Sequence, residues 1–492
     1  MRQDFDRQLK LDVPKLTEVD FDPTSRHELE AILMALYHLY RSPQTQSEIL
    51  NLIAHDINDN TNPKIGCPGL EYWEILVLAA VRLGCDLDYD ALADLATNHR
   101  KLRCVLNIGE WETSNVYRRS TIQDNLVKLK PETVQQISNL IVAEGHELAP
   151  EAVEKVRADS FVVQTNIHYP TDANVLVDGV RKVLTLSAQL GELLGDKTWQ
   201  YWRNTFRSIK RLYRQIQKIA ATKSLSKEDK QEKFHPLYET LLSKAVAIAS
   251  EALSFKGKIA LDTISDEPTR GRIEKRLAEV GYYIQATVYA AWLADRRVLS
   301  GETIPHAEKL HSVFEPHTEL INRGKSPDPI EFGHRVLIVE DQSGFILDHK
   351  IMKDAQTDDQ VLVEVITALQ TRMRNRIKTA SFDKGFWSPA NLAALDKVVE
   401  VSCLPKKGKR DFEAKVRESA KAFRQARRWH PGVESAIHAL VEGNGLAVCR
   451  DRGEEGYERY VALGILGRNL HTLGRILLDQ AHDKQKQCRR AA

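Results

Sequence analysis

The chain of 492 residues is 42% hydrophobic and 28% charged, close to the averages of soluble globular proteins, which excludes a disordered chain and a membrane protein and leaves length for two or three domains. Its longest apolar run, Ile75 to Leu83, is interrupted by Arg82 and falls short of the roughly 20 residues that a membrane-spanning helix needs. The formal net charge of +2 hides a gradient, since residues 1–60 carry 6 Lys/Arg against 11 Asp/Glu and residues 401–492 carry 19 against 11, so a polyanion-binding face is expected to be local and C-terminal.

The first thirty residues mix Asp, Glu, Arg and Pro without an apolar core segment. No secretory signal is read there, and a cytoplasmic location is expected. Cys67, Cys85, Cys104, Cys403, Cys449 and Cys488 form neither a CxxC pair nor a Cys/His cluster and read as reduced structural thiols. Helical periodicity runs from Ser25 to Ile53, from Leu70 to Leu106 and from Ser120 to Ala143, with a Pro/Asn-rich break from Asn58 to Pro68. These segments predict an N-terminal helical domain over residues 1–150, whose short helices could form a DNA-reading pair. Tyr117-Arg118-Arg119-Ser120-Thr121 is the candidate phosphate-touching entry to one helix, and plain packing helices explain the same pattern.

From Arg157 to Asp172 a hydrophobic strand carries one carboxylate, Asp159, ahead of Phe161, Val162, Val163 and Ile167, and then enters the polar turn His168-Tyr169-Pro170-Thr171-Asp172. A strand this apolar reads as buried on both faces, where an ionised Asp is costly without a cation or hydrogen bonds. Asp159 is therefore read as a metal ligand; the turn after it suggests no chemistry. Residues 175–330 read as a helical insertion domain with a polar interruption from Ser224 to Lys233. Within it Arg203, Arg207, Lys210, Arg211, Arg214 and Lys218 stack on one helix face, with Trp202, Phe206, Ile209, Tyr213 and Ile216 on the other. The stripe is a candidate DNA-backbone track, with a solvated outer face as the plain alternative.

From Phe332 the period changes. His334–Asp341 and Phe345–Met352 read as a hairpin around Gln342-Ser343-Gly344. A helix begins near Thr357-Asp358, Arg376–Asp383 is a short strand, Ser388-Pro389 starts another helix, and Lys397–Leu404 is a fifth strand. The segment Lys406–Arg428 holds 10 Lys/Arg against 3 Asp/Glu, and Lys406, Lys407, Arg427 and Arg428 are candidate DNA contacts. His430-Pro431-Gly432 then opens a helix carrying Glu434. Strand, helical insert, hairpin, helix, strand, helix, strand, helix is the ribonuclease H-like order. The expected fold is α/β, a mixed-sheet catalytic core from residues 151–174 and 331–480 with a basic tail at 481–492.

In that order the first and fourth strands are neighbours, so Asp159, Asp383 and, from a helix packed across the sheet, Glu434 are expected to converge. Three carboxylates suit Mg2+ or Mn2+, expected as two ions that activate an attacking oxygen and stabilise a leaving oxygen at phosphorus. Each carboxylate taken singly has a plain reading as a cap, turn or surface group. Asp341, Asp172 and Asp358 are assigned to a hairpin turn, a post-strand turn and a helix cap.

The blocks Asp159–Asp172, Phe314-Glu-Pro-His-Thr318, Glu340-Asp-Gln-Ser-Gly-Phe-Ile346, Ser381-Phe-Asp-Lys-Gly-Phe386 and Val433-Glu-Ser-Ala-Ile437 resemble those of DDE transposases of bacterial insertion sequences, most nearly the ISNCY group. The resemblance runs from about residue 150 to 478 and includes Arg450-Asp-Arg-Gly453, Arg459-Tyr-Val-Ala462 and Arg468-Asn-Leu-His471. It implies a metal-dependent enzyme that binds the terminal inverted repeats of its element, cuts there and joins the freed ends to target DNA. By motif position Asp159, Asp383 and Glu434 are the implied triad, and a dimer on DNA is the implied assembly, with no membrane partner. The chain departs from many such enzymes in placing His430 and Val441 where an Arg and a Lys flank the last Glu; Arg427, Arg428 and Lys421 are the nearby substitutes. A nuclease of the same fold that does not join strands, and an inactive DNA-binding derivative, are the alternatives.

Overall fold

The structure, a computed structural model, describes residues 16, 19–59, 69–109, 112, 117–322, 324 and 329–491. Cys67 and most of the Asn58–Pro68 break lie outside them. The chain divides into two compact units, Met1–Asn166 with Ile321–Ala492, and Ile167–Leu320. The first unit begins with α1 (Glu28–Tyr40), α2 (Pro43–Asn58), α3 (Tyr72–Gly84), α4 (Tyr89–Asn98), α5 (Arg100–Val105), α6 (Arg119–Leu126) and α7 (Pro131–Leu148), and then enters strand β1 (Lys155–Thr165). Local chemistry sets these ends: Asp88 caps α4 by accepting from the Ala91 N–H at 2.7 Å, and Pro131 opens α7, where its missing N–H is not needed.

The second unit is helical, with α8 (Asp172–Leu194), α9 (Trp202–Ala221), α10 (Lys227–Gly257) and α11 (Glu267–Ala294). Its core gathers Leu176, Val180 and Leu184 with Ile209, Ile216, Leu241 and Ile284. The turn after β1 finds its role here. The Thr171 N–H donates to Asn174 Oδ1 at 2.7 Å and Thr171 Oγ1 accepts from the Asn174 N–H at 3.3 Å, a reciprocal cap that starts α8. Asp172 follows it, 3.3 Å from the Arg297 guanidinium. The unit therefore begins at Ile167, eight residues earlier than the helical periodicity places it. Ser226 makes a second capping box, with Asp229, and starts α10, so most of the polar stretch at Ser224–Lys233 is the beginning of that helix.

The chain returns through β2 (Glu319–Asn322), β3 (Ile330–Asp341), β4 (Ile346–Ile351), α12 (Asp358–Arg372), β5 (Thr379–Ser381), α13 (Pro389–Leu395), β6 (Val401–Cys403), α14 (Phe412–Ser419), α15 (Lys421–Trp429), α16 (Gly432–Gly443), β7 (Val448–Cys449) and α17 (Glu454–Ala491). The strands make one mixed sheet in the order β2-β3-β1-β5-β6, with β4 paired to β3 and β7 to β1. β1 runs antiparallel to β3 and parallel to β5, and β5 parallel to β6. β3 and β4 are the expected hairpin. Asp341 closes its turn by accepting from the Ser343 and Phe345 N–H groups at 2.8 and 3.0 Å, and its other oxygen lies 2.8 Å from His146 Nε2. β6 is shorter than the expected Lys397–Leu404, because the Lys397 and Val398 N–H groups bond back to the Ala394 and Leu395 carbonyls at the end of α13.

α17 takes in the basic tail and packs against α1, α3 and α7. Glycines permit this: a Cβ on Gly467 would lie 2.6 Å from the Gly84 nitrogen, and one on Gly474 would overlap the Ala31 carbonyl. Arg82, which interrupts the apolar run of α3, is buried and bonds both Asp451 oxygens, at 2.5 and 3.1 Å, with its guanidinium 3.9 Å from the Tyr89 ring centre. The N-terminal helices and the sheet thus share one hydrophobic core, where periodicity alone separates them near residue 150.

Candidate active site

β1 lies between β3 and β5. Asp159 sits opposite Ile338 of β3, between the buried Ala158 and the half-buried Ser160. Its Oδ1 accepts from the Ser160 N–H at 2.8 Å. On the other side of β1 the parallel register sets Arg157 against Ser381, the last paired position. Asp159 follows two residues beyond Arg157 on β1, and Asp383 two beyond Ser381, past the end of β5, where the backbone is still extended. Burial pushes the Asp159 carboxyl up to about 6, with the Asp383, Asp358 and Glu434 carboxylates adding to the push and the Ser160 bond opposing it. Carboxylates from the end of β5, from α12 and from α16 therefore act on one strand position.

Arg157 explains how α16 comes to that strand. It shares the parity of Asp159, so its side chain leaves the same face of β1. Its Nε donates to Glu340 at 2.6 Å, its Nη1 donates to the Trp429 carbonyl at 3.0 Å, and its guanidinium lies 4.5 Å from the Trp429 ring centre. It fills the space that a Cβ on Gly432 would occupy. Gly432 is the first residue of α16 and Glu434 lies in its first turn, so Arg157 ties the Glu434 turn to the strand that carries Asp159. Beside it His430 is buried, with Nδ1 lacking a hydrogen-bond partner. Burial depresses its pKa, and nearby Asp383 opposes that.

Asp358 is the residue that sequence reasoning misassigned. The cap of α12 is Thr357, through a reciprocal pair with Gln360. Asp358 is free for another role. Its Oδ1 is buried without a hydrogen-bond partner and its Oδ2 lies 3.9 Å from Arg335 Nη1. A buried carboxylate oxygen without a donor is costly, and a hard cation would satisfy it. Oxygen donors alone, the carboxylates of Asp159, Asp383, Asp358 and Glu434, fit Mg2+ or Mn2+ better than a softer metal. Among the described residues no three His, Cys, Asp or Glu side chains stand close enough to hold one ion together. Asp383 and Glu434 are exposed, with room for their side chains to rotate.

No protein-family model, no curated protein and no solved structure matches the chain.

The candidate DNA contacts fall in two places. Arg203, Arg207, Lys210, Arg211, Arg214 and Lys218 are all exposed on α9, which turns Ile209 and Ile216 into the core of the helical unit. Among the described residues none of the six forms an ion pair. In the first unit Lys406, half-buried, pairs with Asp411. Lys407 and Arg428 are exposed, and Arg427 is half-buried with Nη1 lacking a partner. Their segment is not one helix: it breaks at Ala420 between α14 and α15. Among the described residues no helix is long and apolar enough to cross a membrane.

Proposed function

We propose that the chain is a ribonuclease H-like, metal-dependent DNA phosphoryl transferase, and specifically a DDE transposase that cuts at the ends of its element and joins them to target DNA. One observation supports the reading: Asp383 follows β5 two residues past its parallel pairing with β1, and Arg157 of β1 bonds the Trp429 carbonyl just before the helix whose first turn carries Glu434. Asp159, Asp383 and Glu434 hold Mg2+ or Mn2+ in this reading, with Asp358 beside them. Bound there, two ions supply charge that stabilises the attacking and leaving oxygens of an in-line displacement at phosphorus. The residues themselves orient the scissile phosphate: Lys384 follows Asp383 directly, and Arg427 and Arg428 lie on the helix before α16, where cations attract the DNA backbone. A dimer on paired DNA ends, with the N-terminal helices and α9 on the duplex, completes the proposal.

The test is the purified protein with Mg2+ and DNA carrying the sequences that flank its reading frame. Covalently joined strands are expected, and Asp383→Asn should abolish cleavage while DNA binding persists. Cleavage without joining would favour the nuclease reading, and unchanged cleavage by Asp383→Asn would remove this site from the chemistry.

A further inference from the structure

A cavity of about 690 Å³ lies between the loop after β6 and helices α14 and α15. Seven lysines and arginines line it against one carboxylate, Glu418. Two of the seven are neutralised from within: Lys406 by Asp411, and Arg410 by Glu418 at 3.3 Å. The other five, Lys384, Lys415, Arg424, Arg427 and Arg428, enter no ion pair among the described residues, and Arg427 keeps a buried Nη1 without a hydrogen-bond partner. An unsatisfied buried guanidinium donor is costly unless an anion reaches it, and phosphate oxygens match its geometry. The volume is larger than one phosphate needs.

A second feature narrows the ligand. Phe412 is 80% exposed. It opens α14, and Lys415 and Ser419, three and seven residues on, lie on its helix face and line the cavity. An aromatic ring held in solvent beside a cationic groove is the arrangement on which unpaired bases stack while their phosphates follow the charge. A duplex keeps its base faces inside the stack, so Phe412 selects for an unpaired strand. Lys384 brings the lining to within one residue of Asp383.

We propose that this cavity binds an unpaired stretch of DNA strand next to the cleavage site, with phosphates among the five cations and a base stacked on Phe412. The proposal rests on the reading of the protein as DNA-acting, and its test is separable from that reading. Fluorescence anisotropy on the full chain, without divalent metal, compares a short labelled oligothymidine with a duplex of equal length. Phe412→Ala should weaken oligothymidine binding roughly ten-fold and leave the duplex unchanged, and Phe412→Trp should restore it. Arg424→Gln with Arg427→Gln should lower the slope of log affinity against log salt by roughly 0.7 for each phosphate that the two side chains no longer neutralise. Oligothymidine binding that Phe412→Ala leaves unchanged, or a loss equal for both DNAs, overturns the proposal. A Phe412-dependent preference in a protein that never cleaves supports the cavity and sinks the transposase reading.

Discussion

Asp159 carries its carboxyl at about 6 in the folded chain, where an Asp ordinarily sits near 3.8. The folded state therefore binds the proton more tightly than the unfolded chain, so stability falls as pH rises from about 3.8 to about 6 and stays lowered above it. Asp159→Asn removes that penalty. At pH 7 in metal-free buffer the variant is expected to melt above the wild type, and Mg2+ or Mn2+ should raise the Tm of the wild type only; a variant that melts lower without metal contradicts the argument. Arg157→Lys keeps a charge beside Glu340 but cannot also hold the Trp429 carbonyl. Its cleavage rate should fall about ten-fold or more with DNA affinity retained, and an unchanged rate would deny Arg157 its positioning role. Asp159 was legible in the sequence because a lone carboxylate in an apolar strand demands a reason. Asp358 was not, because Thr357-Asp358 has the composition of any helix start and only the orphaned oxygen tells the two residues apart. Arg157 was equally hidden, since its partners Glu340 and Trp429 are 183 and 272 residues away.

Among the elements, the period-two runs marked β1, the hairpin and β5, and turn residues marked the helix starts, because each rests on a local signal. The two-residue β7 carries no such signal: it forms only where Gln164 and Thr165 of β1 offer it a ladder. The break at Ala420 is likewise set by what α15 packs on, Phe423 and Ala426 against Cys403 of β6. α9 is amphipathic in sequence and structure, its cationic stripe exposed, Ile209 and Ile216 buried and Trp202, Phe206 and Tyr213 half-buried. Arg207→Glu with Arg211→Glu should weaken DNA binding at least ten-fold and flatten its salt dependence, whereas unaltered binding would make the stripe a solvated face. At the α3–α17 crossing, Gly467→Leu forces a side chain into the Gly84 backbone. A destabilisation of about 1–3 kcal/mol is expected, measurable by urea unfolding, and a variant as stable as the wild type would show that the helices can separate.

For the molecule as a whole, periodicity could suggest a helical N-terminal domain but could not show what its apolar faces cover, since that depends on α17 at the far end of the chain. A chain starting at residue 151 would bare the faces of α17 that α1, α3 and α7 cover and take from Asp451 its bidentate partner Arg82, leaving it Arg459 at 3.7 Å. It is expected to aggregate and to show no cooperative melting transition; a soluble fragment that melts sharply would restore the separable domain. The pairing of Arg82 with Asp451 also sets a clock. At about 5–20 residues per second, a ribosome needs roughly 15 to 60 s to go from the end of the N-terminal helices to the start of α17. Through that interval the early helices wait with their apolar faces uncovered, so any synthesis that stops short of α17 yields a product for chaperones and proteases rather than a partly folded, usable protein.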